Sequence, residues 1–275
     1  MNARFTRLPV LGLAVLAECT LEVDANQTAT VTGGDAPSTS DTAGTSDSAS
    51  TSDAPTTGPG APTCGMAGET DEAQQCPESC ADVLAGAPGA ADGAYTLYAG
   101  GDPTRPWQAW CVDMGDTPAE YLILPMVGPG YNFSEYVPRP NTGTIVMTTY
   151  TRVRIDPRSF LVDVSDQTFS SSVGSLMHDS TTVTSMPYAV AMDCVGALLG
   201  RANIDLRETP FMCPPEQFMM FGHLPERIVL PSSNYQVIDI RGSGECGYVG
   251  PNPGNNPDFP IDDLGGFYLQ LLYAQ

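Results

Sequence analysis

The segment at residues 80–114, CADVLAGAPGAADGAYTLYAGGDPTRPWQAWCVDM, constrains the fold more than any other part of the chain. A cysteine opens it and an Asp-Gly turn follows. An alternating strand comes next, and a Pro-Trp pair leads into a second cysteine. Such a pattern belongs to an oxidised extracellular module rather than to a cytosolic enzyme core. It specifies a compartment and a cross-link but no reaction.

The chain has eight cysteines, at positions 19, 64, 76, 80, 111, 194, 213 and 246. If Cys19 carries lipid, seven remain and one is left without a partner in the chain. The Cys76-Pro-Glu-Ser-Cys80 spacing also suits a zinc site. No second close cysteine pair accompanies it, however, and His178 and His223 are the only histidines. Disulfides are therefore favoured over metal. The expected pairs are Cys80–Cys111, Cys64–Cys76 and Cys194–Cys246, with Cys213 left over. Spacing alone does not fix the last two.

Residues 1–18 read as an export signal. Arg4 and Arg7 precede a ten-residue uncharged run at 8–17, too short to span a bilayer. The sequence Leu16-Ala17-Glu18-Cys19 resembles a bacterial lipobox, with Glu18 where that motif has a small residue. The resemblance implies lipidation at Cys19. Residues 19–63 are rich in Ser, Thr, Asp and Pro, and Thr-Ser-Asp recurs at 39–41, 45–47 and 51–53. This composition cannot bury enough apolar area to offset ordering entropy, so a disordered tether is expected. The folded domain is then residues 64–275, with a core at 80–250.

Thirty-two acids face eleven bases, every one of them arginine, for a net charge of −21. That charge argues against nucleic acid and against anionic lipid surfaces as partners.

The pattern along the domain predicts a mainly β fold, antiparallel and disulfide-stapled, a β-rich α+β class with one or two short helices. Helices are expected at 77–86 and at 187–199. Strands are expected at 94–99, 107–112, 120–127, 144–155, 160–164, 202–206, 227–230, 235–240 and 266–273. The longest, 144–155, places Val146, Thr148, Tyr150, Arg152 and Arg154 on one face. Its other face, with Ile145, Met147, Val153 and Ile155, is the more apolar and is expected to point inward.

The ordered blocks CADV, DGAYTLY, PWQAWCVDM, AEYLIL, NFSEYV, TRVRID, AMDC, ANIDL, TPF and ECG resemble the GON domain. That domain ends some secreted thrombospondin-repeat metalloproteinases and also occurs in bacterial exported proteins. The resemblance covers residues 80–250. Matching positions are Cys80, Gly93, Tyr95, Cys111, Met114, Glu120, Tyr121, Asn132, Ser134, Arg154, Ile155, Asp156, Cys194, Asn203, Leu206 and Cys246. The family assigns no catalytic or ligand role to any of them. Its metalloproteinase hosts bind zinc through His-Glu-x-x-His, a motif this chain lacks. The opening block also resembles the start of fibrinogen-type domains, which implies a Cys80–Cys111 bridge.

A search for chemistry finds no Gly-x-Ser-x-Gly elbow and no glycine loop before Lys-Ser or Lys-Thr. Asp262, Asp263 and residues 255–258 offer oxygen ligands without the alternating calcium-loop layout. Trp107 and Trp110 face opposite sides of one strand, so core packing is expected for at least one. Arg152 and Arg154 sit side by side. They either pair with acids such as Asp156 or Asp163, or grip a carboxylate ligand.

The resulting expectation is a non-catalytic, exported, membrane-tethered interaction module on the cell envelope, an outer-membrane or cell-surface lipoprotein. Its partner would be a protein or glycan outside the cytoplasm, and the membrane would be reached through the lipid anchor alone. No cofactor, metal or nucleic acid is implied. The alternative is an exported hydrolase, built on distant acids and His178 or His223 with metal assistance.

Overall fold

The computed structural model describes Cys64, residues 76–251 and residues 268–274. These lie within the compact unit Ser52–Gln275. The expected signal segment, Cys19, the expected tether and the acidic residues at 255–263 fall outside the described residues.

The fold is mainly β. One sheet of six strands runs β1 (Gly93–Tyr98), β2 (Pro106–Val112), β3 (Ala119–Ile123), β6 (Arg152–Ile155), β7 (Leu161–Asp163) and β16 (Tyr268–Gln270). The second, of seven strands, runs β11 (Ala191–Asp193), β15 (Val237–Pro251), β12 (Gly200–Asp205), β4 (Phe133–Val137), β5 (Val146–Tyr150) and β8 (Ser170–Val173). Its seventh strand, β14 (Phe218–Ser232), pairs with β15. Two small ladders complete the fold: β9 (Leu176–His178) with β10 (Thr181–Val183), and β13 (Phe211–Met212) with β17 (Leu272–Tyr273). Every ladder is antiparallel except a short parallel contact of β11 with β4.

The two large sheets share one core. Leu97, Trp107, Leu122, Val153 and Val162 come from the first sheet, and Tyr150, Ile204, Ile238 and Ile240 from the second. The alternation along 144–155 explains how the chain reaches both. The single long strand expected there is two strands, broken at the exposed Thr151. In β5 the buried residues are Val146, Thr148 and Tyr150, the face that the alternation assigned to solvent. In β6 the buried residues are Val153 and Ile155, as expected. The inward phase slips by one residue between Tyr150 and Val153. The slip carries the chain from one sheet to the other while both side chains stay in the common core. Burial of each such side chain is worth about 1.5–3 kcal/mol, more than the local cost of breaking one ladder.

Helix α1 (Cys80–Gly86) starts three residues later than expected. Ser79 is its N-cap, and Ser79 and Asp82 form a reciprocal capping box. Pro77 therefore lies ahead of the cap rather than in the first turn. At 187–199 no helix forms. Ala189, Gly196 and Leu198 all have positive φ. The buried Asp193 carboxylate gathers the loop by accepting N–H bonds from Val195, Ala197 and Leu199 at 2.5, 3.1 and 3.0 Å. A side chain competing for backbone donors displaces the helix. Gly200 and Gly242 face each other across the β12–β15 ladder. A Cβ on either would stand 2.2 Å from a carbonyl oxygen of β11, so this crossing requires glycine.

Three disulfides staple the body: Cys64–Cys76, Cys80–Cys111 and Cys194–Cys246. Cys213 is a buried free thiol. Its pKa is raised because burial disfavours the thiolate.

Asn132 is the polar hub. It is fully buried with φ of 46°. Its Oδ1 accepts from the Tyr188 hydroxyl at 2.7 Å and from the Asp205 N–H at 2.8 Å. Its Nδ2 donates to the carbonyls of Met126 and Asp205, both at 2.9 Å. Its own N–H reaches Asn203 Oδ1 at 3.0 Å. Replacing Asn132 by Ala orphans several buried groups at once. We expect a loss of about 3 kcal/mol or more in urea unfolding, with no change in slope, against under about 0.5 kcal/mol for Ala at exposed Ser180.

Candidate functional site

Most of the positions that the sequence singled out serve the scaffold. Arg152 lies with its guanidinium 4.1 Å from the Trp110 ring centre and 4.7 Å from that of Phe169. Burial lowers its pKa. It is thus packed on rings and covers one face of Trp110. Trp107 is in the core, edge-on to Phe211 at 5.6 Å. Arg154 is exposed and stands opposite Asp163 in the ladder. Among the described residues, no ion pair joins Arg152 or Arg154 to Asp156. Asp156 instead accepts from the Arg158 and Ser159 N–H groups at 2.9 and 2.8 Å and from the Ser159 hydroxyl at 2.9 Å. Burial pushes its pKa up, but these bonds from Ser159 and Arg158 together outweigh burial and hold it below the usual value. Glu120 accepts the Cys80 N–H at 2.7 Å and so ties helix α1 to β3. Burial raises its pKa.

The chemically distinct place is a pocket of about 200 Å³ lined by Tyr136, Arg139, Thr142, Met177, His178, Asp179 and the Cys194–Cys246 disulfide. Sheet register assembles it. The parallel contact sets Asp193 of β11 beside Val137 of β4, and the Cys194 N–H donates to the Val137 carbonyl at 3.0 Å. On its other side Asp193 pairs with Gly247, which brings Cys194 to Cys246. Cys246 itself has φ of 64° and sits where the β14–β15 ladder shifts register. His178 arrives on the β9–β10 hairpin. That hairpin is fastened by the Met177 N–H to the Thr142 carbonyl at 2.7 Å and by the Thr144 N–H to the Ser175 carbonyl at 2.8 Å.

The Tyr136 hydroxyl hydrogen-bonds to His178 Nδ1 and lies 3.1 Å from Cys194 Sγ. His178 Nε2 stands 3.7 Å from the exposed Asp179 carboxylate. Burial raises the Tyr136 pKa to about 12, with Asp179 adding to the rise and Arg139 opposing it. Tyr136 therefore keeps its proton and serves as donor or relay. One nitrogen of His178 and the two sulfurs lie within 4.8 Å of one another. A small second core, with Leu176, Met186 and Val190, lies beside Tyr136 and Cys194. The pocket is below the size of a drug-sized ligand site, so it suits an ion or a single side chain. His223, the other histidine, bonds Glu245 at 3.0 Å on the exposed hairpin, apart from this pocket.

The sequence pairs Cys194 with Cys246 and offers His178 only beside His223, as a candidate for a metal-assisted hydrolase. Tyr136 was not singled out. Its role depends on the parallel β11–β4 contact, which no local pattern announces. No protein-family model, no curated protein and no solved structure matches this chain.

Because the folded Tyr136 titrates above an ordinary tyrosine, its contribution to stability is complete below about pH 10 and is lost as pH rises toward about 12. Tyr136→Phe should flatten that alkaline decline in melting temperature and cost about 1 kcal/mol at neutral pH. Melting curves from pH 7 to 11.5 check both.

Proposed function

We propose that the chain is an exported, non-catalytic, membrane-tethered binding module of GON-like type, anchored through Cys19. The observation that carries this reading is what the buried polar side chains are engaged in. Asn132, Asn203, Asp193, Asp205 and Tyr188 are occupied with backbone and one another. The half-sheltered Glu135–Arg201 pair is bidentate, at 2.9 and 3.0 Å. Groups spent on holding strands together are not free to move protons for a substrate. The three disulfides support placement outside the cytoplasm. The GON likeness rests on the order of short blocks and supports the interaction role, with a protein or glycan partner.

A second reading, an exported hydrolase, draws support from one feature: His178 between Tyr136 and Asp179 in an open pocket. The two are separated by assaying the mature chain and its His178→Gln variant on ester, glycoside and peptide substrates. The module reading expects no turnover that distinguishes them. Turnover lost in the variant contradicts it. Fractionation of cells producing Cys19→Ser tests the tether: the wild type is expected with membranes and the variant in the soluble exported fraction. A variant that stays on membranes overturns lipid anchoring.

A further inference from the structure

The pocket disulfide differs from the other described core bridge in its surroundings. Cys80 and Cys111 are fully buried. Cys246 is partly exposed and lines an open pocket, with a phenol against its partner sulfur and an imidazole nitrogen within 4.8 Å of both sulfurs. We propose that Cys194, Cys246 and His178 form, once the bridge is reduced, a Cys2His site for one borderline-soft divalent cation, so that the pocket alternates between a disulfide and a metal centre. This inference stands apart from the tethered-module reading and from the identity of any partner.

The redox step needs a dithiol reductant. Its thiolate attacks the accessible Cys246 sulfur, the S–S bond breaks, and Cys194 leaves as a thiolate. The Tyr136 hydroxyl, 3.1 Å away, is placed to donate to that thiolate while His178 Nδ1–H donates to the Tyr136 oxygen. The second reductant thiol then displaces Cys246 from the mixed disulfide. One dithiol becomes one disulfide, and two electrons and two protons pass to the two cysteines. Binding a divalent cation afterwards expels both thiol protons.

The donor set fits. Zinc takes sulfur at about 2.3 Å and nitrogen at about 2.0 Å in a tetrahedral array, so its ligand atoms stand about 3.3–3.8 Å apart. The three atoms already lie within 4.8 Å. The sulfurs need only separate once unbonded, and Cys246 sits in a ladder irregularity that can absorb the movement. Three protein ligands leave a fourth position facing the open pocket, with Asp179 beside it. The chain's net charge of −21 favours a cation.

The experiment treats the folded full chain with dithiothreitol without denaturant, tags free thiols with maleimide, and offers Zn2+ to the desalted product. The expected result is tagging of Cys194 and Cys246 while Cys80 and Cys111 stay bonded. One zinc per chain is then retained by the reduced protein, and none by the oxidised protein or by C194S/C246S. His178→Ala should weaken zinc binding by about tenfold or more. Co2+ in the reduced wild type should give the intense visible bands of a tetrahedral thiolate site, a readout that needs no variant. Three results would each overturn the proposal: a Cys194–Cys246 bridge that resists reduction in the folded chain, zinc retention equal to C194S/C246S, or octahedral Co2+ bands only.

Discussion

A chain with 32 acids, 28 glycines and 25 prolines repels itself and gives up backbone freedom at many points when it folds. Among the described residues the one α-helix has seven residues, and most strands have six or fewer. Neither element is stable alone. The covalent restraint at Cys80–Cys111 answers this problem directly. It closes a loop of 31 residues between the start of the helix and the C-terminal end of β2, which removes unfolded-state entropy worth about 3–4 kcal/mol. Both sulfurs lie in the core shared by the two sheets. The link also holds the Cys80 N–H against Glu120, so the cap, helix and sheet are positioned together.

Around that restraint the chain passes between the two sheets after β3, at the phase slip at Thr151 and after β7, and one polar hub, Asn132, gathers the second sheet and its loops. The hub binds β12, β4 and the 188 region through side-chain and backbone partners without leaving a buried donor or acceptor on Asn132 unused. The Asn203 amide extends the network to Asp239 on β15 at 2.8 Å. Asn132, Asn203, Glu120, Cys80 and Cys111 are thus occupied in holding the fold together. The same accounting leaves the Tyr136–His178–disulfide pocket as a place where reactive groups meet without being consumed by the scaffold.

Much of this was legible beforehand, for physical reasons. Cysteine partners were readable because the N-terminal pattern suggests export and the chain has only two histidines, which favours disulfides as the use of its sulfur. The strands of β1, β2 and β12 follow period-two alternation bounded by Gly, Asp and Pro. The 144–155 segment misled because alternation is read along one chain, whereas the inward direction changes when the chain changes sheets. The 187–199 segment misled because a single buried carboxylate, Asp193, outbid helical hydrogen bonds for three N–H groups. The pocket was the least legible. His178, Tyr136 and the two cysteines come from four elements, and only the register of β11 against β4 and β15 brings them together.

The central claim is that an oxidised, cross-linked body holds these sheets in one register. Peptide mapping of the natively produced protein, digested under non-reducing, thiol-blocked conditions, tests it most directly. The account predicts Cys80 joined to Cys111, Cys64 to Cys76 and Cys194 to Cys246, with Cys213 unmodified until the protein is denatured. Recovery of Cys80 and Cys111 as blocked free thiols, or joined to other partners, would contradict it.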